Sequence, residues 1–408
     1  MGEGRLSLVS RFGLQTSEGT LSLDAEEAQP PPDRHPGRSP VAVTALVLAA
    51  FLGLAGCTGG AGGAAGTPAS PAASGPAPAS TPASAAQQLS ETGSSLMAPL
   101  FALWGPAYHA QFSQVSISTA SSSSGTGISS AAAGTTDIGA SDAYLSPADV
   151  TKHTNLANIP LAVAALMVIC HVPGLGPSTH LKLNGKVLAL IFAGRVTTWD
   201  DPAIKNLNPG VTLPGTAIVP VHRADTSGST FLFTSYLNAQ DPADWSSSLI
   251  GTTVAWPRPH GGTGASGSSG IIGAVHDTPG AIGYAGVSYL SAVTGDGEGE
   301  VALGNAAGSY VLPTPGSIQA GLASFTNTPA NETISLINGS GAGVYPIINY
   351  EYAIVSTTQA SPTRAQDLRA FLTWAISTGT AQLAQVNFQP LPASVVLLSQ
   401  AQIAKIKG

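Results

Sequence analysis

The chain has 408 residues, of which 43% are hydrophobic and only 9% are charged, against roughly 25% charged residues in an ordinary soluble domain. Its length suffices for two or three domains with a buried core, and its hydrophobic content excludes disorder driven by charge. The net charge of −7 without any basic run argues against a nucleic-acid surface, and Cys57 and Cys170 are too few for a disulfide framework and unsuited to a metal knuckle.

The first predicted element is a hydrophobic segment within residues 41–57, which has the length of a signal-peptide core. It is short for a membrane-spanning helix, which needs about 20 residues. Arg34 and Arg38 precede it, and it ends at Leu54-Ala55-Gly56-Cys57, which resembles the bacterial lipobox. We expect Cys57 to be the lipid attachment site; the alternative is a single membrane anchor followed by an incidental cysteine.

The segments on either side of this signal are polar or composed of small residues. Residues 1–40 form a polar extension, which we attribute to a start codon assigned too far upstream. Residues 58–87 are nearly all Gly, Ala, Ser, Thr and Pro, which predicts a flexible tether. A tether after a lipidated cysteine predicts a folded part on the extracytoplasmic face of the cell membrane.

After residue 87, apolar segments of strand length alternate with segments of helical pattern, which predicts an α/β fold. Strands are predicted near residues 115–117, 159–170, 218–222 and 281–284. Helices are predicted near residues 96–104, 128–133, 231–237, 271–275 and 364–376. Cys170 is predicted to be a small core residue within its strand.

Three Gly/Ser-rich turns precede predicted helices, at Gly93-Ser94-Ser95, Ser124-Gly125-Thr126-Gly127 and Ser227-Gly228-Ser229. Free backbone N–H groups at the positive end of a helix form an anion site, and hydroxyl groups add further donors. Any single turn is equally well explained by a serine that caps its helix. Three such turns in one α/β chain indicate an anion-binding site.

Two charged residues stand close to these turns. Arg223 follows an apolar strand and precedes the third turn, so its planar guanidinium could clamp an oxyanion. The alternative for Arg223 is a structural ion pair, for example with Asp225. Asp142 lies among small residues that allow close backbone approach, and its alternative role is to form a turn.

Several motifs together resemble the phosphate-binding proteins of the high-affinity phosphate ABC transporter. The motifs are Glu91–Leu96, Ile138–Ser146, Arg223–Phe231, Phe233–Leu237 and Pro279–Tyr284, with Trp199–Pro202 and Leu207–Gly210. The resemblance runs in order from about residue 88 to residue 400. It implies an α/β, two-lobed type II periplasmic-binding-protein fold with a ligand cleft between the lobes.

The resemblance also implies which residues bind phosphate: Ser95, Leu96, Ser124, Asp142, Arg223, Ser227, Gly228 and Ser229. Leu96 stands where the family often has an aromatic residue, and Ser229 stands where it often has threonine. Neither difference removes a backbone donor. Asp142 would accept a hydrogen bond from the proton of phosphate, which sulfate lacks at neutral pH.

By the same resemblance, residues 88–167 with 349–408 form one lobe and residues 168–348 form the other. The implied partners are inorganic phosphate, an ABC permease with its ATPase subunit, and the membrane through the lipid anchor. We expect a monomer that binds no nucleic acid, carries no cofactor or metal, and is not an enzyme. Other tetrahedral oxyanions, a periplasmic phosphate-ester hydrolase and a structural or adhesive lipoprotein remain as alternatives.

Overall fold

A computed structural model of the chain describes residues 81–83, 85–257 and 262–408, all within one unit, Ala73–Gly408. The predicted signal segment, Cys57 and most of the tether lie outside these residues. The end of the predicted tether contacts a helix of the folded part: Ala83 N–H donates to Asp367 Oδ1 at 2.7 Å, and the carbonyl of Thr81 accepts from Gln366 at 3.0 Å.

The strands of the described residues are β1 (Gln87–Gly93), β2 (Val115–Ser121), β3 (Ile138–Ser141), β4 (Leu156–Cys170), β5 (Lys182–Leu183), β6 (Val219–Arg223), β7 (Thr263–Ala265), β8 (Ala281–Gly286), β9 (Gly299–Glu300), β10 (Ala302–Gly304), β11 (Tyr310–Val311) and β12 (Ile348–Ser356). The helices are α1 (Ala98–Gln111), α2 (Ser124–Ala133), α3 (Pro147–Lys152), α4 (Gly185–Phe192), α5 (Pro202–Lys205), α6 (Gly228–Gln240), α7 (Gly267–His276), α8 (Leu290–Asp296), α9 (Pro315–Ala323), α10 (Pro362–Ala375) and α11 (Ala393–Ile403). Short 3-10 helices lie at Ser247–Leu249, Val287–Tyr289 and Thr378–Val386.

The large sheet has the strand order β2-β1-β3-β12-β4-β8-β6-β7, and β9 also pairs with β4. Strand β4 changes partner along its length: Leu156–Ala165 pairs antiparallel with β12, and Leu166–Cys170 pairs antiparallel with β8. The sheet therefore consists of two halves with matching orders, β2-β1-β3-β12-β4 and β7-β6-β8-β4-β9, which share β4. This arrangement places the ends of β1, β3 and β6 together between the halves.

The elements predicted from apolar periodicity are present in the structure. Residues 156–170 form a single strand in which every residue from Ala157 onward is buried, because both faces of a central strand are covered. The main difference is that α2 begins at Ser124, four residues before its predicted start at Ile128. Periodicity detects the first apolar residue of a helix, whereas the helix itself begins at its cap, here Ser123.

Aromatic residues form much of the core beside α1 and α10. Edge-to-face pairs join Trp104 to Phe101 and Phe371, and Tyr108 to Phe371 and Trp374; such pairs add to the stabilisation from apolar burial. Among the described residues, none of the helices has both the length and the hydropathy required to cross a bilayer.

The central position of β4 predicts unequal costs for two leucine truncations. Leu161 in β4 is fully buried, whereas Leu397 in α11 is 66% exposed. Leu161→Ala should lower the free energy of unfolding by about 2–5 kcal/mol, because it leaves a cavity. The control Leu397→Ala should change it by at most about 0.5 kcal/mol. Urea unfolding measures the free energy of unfolding of both variants. Equal losses of stability would contradict the buried, central position of β4.

Candidate anion-binding site

Asp142, in the loop after β3, lies at the centre of the candidate site and is buried. Ser94 donates its hydroxyl to Asp142 Oδ1, and Ser229 donates its hydroxyl to Oδ2 at 2.6 Å. The Asn349 side chain donates to the Asp142 backbone carbonyl. Hydroxyl groups from the loop after β1 and from α6 therefore meet at one carboxylate.

The first Gly/Ser turn leads into α1 through a short loop, because α1 begins only at Ala98. Ser94 Oγ accepts the N–H groups of Leu96 at 3.1 Å and Met97 at 3.3 Å. Ser95 Oγ accepts the N–H of Ser268 at 2.9 Å and lies 3.0 Å from its hydroxyl. The Leu96 side chain is fully buried in the core, and the Leu96 backbone N–H is bonded to Ser94. The backbone N–H of Ser95, by contrast, makes no hydrogen bond within the described part of the chain.

The second turn is the N-terminus of α2. Ser123, one residue before the predicted turn, caps this helix by accepting the N–H of Thr126 at 3.2 Å. Ser124 Oγ instead accepts the N–H of Asp142 at 3.3 Å. Gly125 N–H donates to the carbonyl of Thr226 at 2.9 Å, which joins this helix start to the loop before α6.

The third turn is the N-terminus of α6, which Ser227 caps by accepting the N–H of Thr230 at 3.4 Å. Gly228 and Ser229 are the first residues of the helix, where backbone N–H groups have no partner in the preceding turn. Their N–H groups, like that of Ser124, make no hydrogen bond to residues 81–83, 85–257 or 262–408. The start of α6, with the positive end of its dipole, packs directly against Asp142, since a Cβ at Gly228 would lie 2.8 Å from the Asp142 Cβ.

Arg223, at the end of β6, is paired with Asp225 within the site. Its Nε donates to Asp225 Oδ1 at 2.7 Å, and its Nη2 donates to Oδ2. The Arg223 side chain is 3% exposed and the Asp225 side chain is 19% exposed. Burial opposes ionisation of Asp225, but the hydrogen bond and charge of Arg223 outweigh it and lower the pKa of that carboxyl. The structural ion pair considered for Arg223 is therefore present, and Nη1 makes no hydrogen bond to the described residues.

Two further groups of this site are absent from the sequence-based set. Ser268 follows Gly267 at the start of α7 and contacts Ser95, and the hydroxyl of Tyr289 donates to the Ser95 carbonyl at 2.8 Å. Gly267-Ser268 has the same Gly/Ser pattern before a helix as the other three turns, so the sequence contained a signal for Ser268. Nothing in the sequence distinguished Tyr289 or Asn349.

An open cavity of about 360 Å³ adjoins the site. Its lining consists almost entirely of small hydroxylated residues and glycine: Ser95, Ser121, Ser122, Ser123, Thr126, Asp225, Ser266, Gly267, Ser268 and Ser269. Ser95 and Asp225 belong both to the site and to this lining, so the cavity lies directly beside the site.

This geometry agrees with the class of protein that the comparisons identify. The chain matches the model of the PBP superfamily domain over residues 78–378, so it belongs to the periplasmic-binding-protein superfamily. A solved phosphate-binding protein from Stenotrophomonas maltophilia has a TM-score of 0.63 and 20% identity, and covers 78% of this chain and 94% of that chain. The expected two-lobed type II fold is confirmed.

Curated relatives define the family within this superfamily. The phosphate-binding protein PstS of Xylella fastidiosa strain Temecula1 is 32% identical over 322 residues, covering 78% of this chain and 86% of the relative. PstS of Haemophilus influenzae is 29% identical over 323 residues, covering 79% of this chain and 94% of the relative. The chain therefore belongs to the family of PstS phosphate-binding proteins.

The start of α6, the start of α2 and the loop after β3 pack so closely at Gly228 that one added methyl group should lower the stability of the protein. A Cβ at Gly228 would lie 2.7 Å from the Ala143 nitrogen and from Ser124 Oγ, so Gly228→Ala should force these segments apart and cost about 1–3 kcal/mol. Gly273 in α7 has open space around its Cα, and Gly273→Ala should be neutral or stabilising by up to about 1 kcal/mol. Thermal unfolding compares the stabilities of the two variants. A Gly228→Ala protein as stable as wild type would contradict the close packing of α6 against Ser124 and Ala143.

Proposed function

We propose that this protein binds inorganic phosphate in the cleft between its two lobes and delivers it to the permease of an ABC transporter for import. The observation that carries the proposal is that three segments meeting at one buried carboxylate each carry backbone N–H groups without a hydrogen-bond partner among the described residues. The N–H groups are those of Ser95, Ser124, Gly228 and Ser229, and the carboxylate is Asp142. Family membership supports the same ligand, because the relatives are named for phosphate binding.

Phosphate would be held mainly by neutral donors. Backbone N–H groups at the starts of α2 and α6 would donate to its oxygens, as helix N-termini do for many phosphates. The hydroxyls of Ser95 and Ser124 would orient towards the anion, whereas the hydroxyl of Ser229 would stay on Asp142 Oδ2. Leu96 and Ser227 are also expected in the site. The Leu96 N–H is bonded to Ser94 Oγ and would have to leave it to reach phosphate. Ser227 caps α6.

Arg223 would supply the cation of the site while remaining paired with Asp225. The ion pair uses Nε and Nη2, so Nη1 is available for a phosphate oxygen. The partner carboxylate also holds the guanidinium in one orientation, which favours directed hydrogen bonding over a diffuse attraction.

Asp142 would make the site selective for an anion that carries a proton. Monobasic and dibasic phosphate can donate a hydrogen bond to a carboxylate, whereas sulfate at neutral pH cannot. Two facing unit charges about 4 Å apart at an effective dielectric of 20 repel by about 4 kcal/mol, which corresponds to roughly three decades of affinity. An unsatisfied buried acceptor adds to the discrimination.

The proposed lobes are residues 88–167 with 349–408, and residues 168–348. The partner change of β4 between Ala165 and Leu166, and the start of β12 at Ile348, support crossings near these boundaries. Ligand contacts made from both lobes would favour the closed state by their differential free energy.

The proposed location is the extracytoplasmic face of the cell membrane. Residues 41–57 would serve as the signal, with Cys57 as the lipidated residue and residues 58–87 as the tether, whose last part contacts α10 through Thr81 and Ala83 and runs into β1 at Gln87. From there the closed, phosphate-bound form would dock on the permease, whose ATPase subunit supplies the energy of transport.

The role proposed for Arg223 predicts a large effect on affinity that a surface arginine does not share. Arg223→Gln should weaken phosphate binding by about 10- to 100-fold, since a charge-assisted hydrogen bond contributes about 1.5–3 kcal/mol and Asp225 would then face the anion unpaired. Arg195→Gln breaks an exposed pair with Asp244 and should bind as wild type does. Calorimetric titration of phosphate-free full-length protein measures both, and absence of wild-type binding would refute the proposed function.

The role proposed for Asp142 predicts a change in selectivity. Asp142→Asn should narrow the preference for phosphate over sulfate by at least about tenfold, because the amide removes the facing charge and can donate to sulfate. Asp200→Asn changes an exposed carboxylate paired with Lys205 and should leave the preference intact. Competition calorimetry with both anions provides the measurement, and an unchanged ratio in Asp142→Asn would exclude proton recognition by this residue.

A further inference from the structure

Strand β12 carries a second acidic residue towards the site. Glu351 is fully buried in a strand whose residues Ile348–Val355 are all buried. The pairing of β12 with β3 ends at Tyr352 and Ser141, the residues next to Glu351 and Asp142. Asn349, two residues before Glu351, donates to the Asp142 carbonyl, so Asp142 continues alongside β12. The charge of Asp142 acts on Glu351, and the two carboxyl groups are therefore neighbours.

The environment of Glu351 disfavours its ionised form. Both carboxyl oxygens are buried and have no hydrogen-bond partner among the described residues, and an unpaired buried carboxylate is costly. Burial first, and then the negative charge of Asp142, raise the pKa of Glu351 well above its usual range. Burial and the neighbouring carboxylate therefore both oppose a second negative charge at this position.

The other groups around Glu351 do not supply a compensating charge. The register of β4 sets Ala162 beside it, and α2, which contacts β12, has no titratable side chain. Tyr352 on its own strand is the neighbouring phenol, and burial raises the pKa of that phenol well above its usual range. Asp142 is therefore the charged group to which a proton on Glu351 can be donated.

We propose that Glu351 is a positioning residue for phosphate recognition: its buried carboxyl, unpartnered among the described residues, turns when protonated to donate to the neighbouring Asp142 carboxylate and fixes the orientation of that acceptor. This inference rests on the proposed function and deepens it. A carboxylate offers about four acceptor positions. Ser94 and Ser229 occupy two of them, Glu351 would occupy a third, and one remains for a single phosphate O–H. Glu351 thus limits Asp142 to one free acceptor position, the one that would accept the proton of phosphate.

The proposal predicts different outcomes for two substitutions at the same position. Glu351→Gln keeps a donor of similar size, so its Kd for phosphate at about pH 7 should stay within about threefold of wild type. Glu351→Leu removes the donor and should raise the Kd by about 10- to 100-fold, since a hydrogen bond to a charged group is lost. Glu332→Leu is the matched control, because Glu332 is equally buried but hydrogen bonds to Ser399 rather than facing Asp142.

The pH profile and an infrared signature separate positioning from a merely structural role. Wild-type affinity should fall by up to about tenfold per pH unit above the pKa of Glu351, because binding requires its proton. Glu351→Gln should lack this alkaline limb, while the titration of phosphate itself affects both proteins equally. Without phosphate, wild type at about pH 7 should show a protonated-carboxyl carbonyl band that Glu351→Gln lacks, and this test does not depend on the folding of Glu351→Leu.

Three outcomes would overturn the proposal. Equal affinity of Glu351→Leu and Glu351→Gln would show that the donor is dispensable. Absence of the carbonyl difference band would show that Glu351 is ionised. If wild type binds no phosphate in the calorimeter, the proposed function fails and this inference with it; phosphate binding with either of the other two results rejects the role of Glu351 alone.

Discussion

A single buried carboxylate, that of Asp142, is the constraint on which the site depends. Burying a charge is costly unless hydrogen bonds satisfy it, and here hydroxyls from both sides of the cleft do so. Ser94 comes from the loop after β1, and Ser229 comes from the first turn of α6. The Asp142 carboxylate would repel an anion that carries no proton. It also holds together the loop after β1 and the start of α6, the segments that would bind a protonated anion.

Neutral donors explain how a chain with so few charges can hold an anion. The cation of the site, Arg223, is already paired with Asp225, so the pair adds little net charge. Attraction would arise from oriented N–H groups at helix starts, which are effective because they are fixed in place and shielded from water. A net charge of −7 over the whole chain does not oppose such local binding.

The fold supports the site by permitting close approach of its backbone segments. Gly93 has a φ of 147°, and a Cβ at that position would lie 2.1 Å from the Ala140 carbonyl oxygen. Gly228 similarly allows α6 to approach Ser124 and Asp142. Strand β4 joins the two halves of the sheet, so that strand ends separated widely in sequence open into one cleft.

The sequence by itself determined the α/β class, the order of the main elements and the three Gly/Ser helix starts, because apolar periodicity and capping are local properties. It also singled out Asp142 and Arg223. Local patterns offered several caps for α2 and a pair of Arg223 with Asp225, but only the tertiary structure selected Ser123 as the cap and showed that pair formed. Only the tertiary structure joined Ser94 and Asn349 to Asp142, and Ser268 and Tyr289 to Ser95. These contacts link segments that are distant in the chain, so no local pattern could assign them.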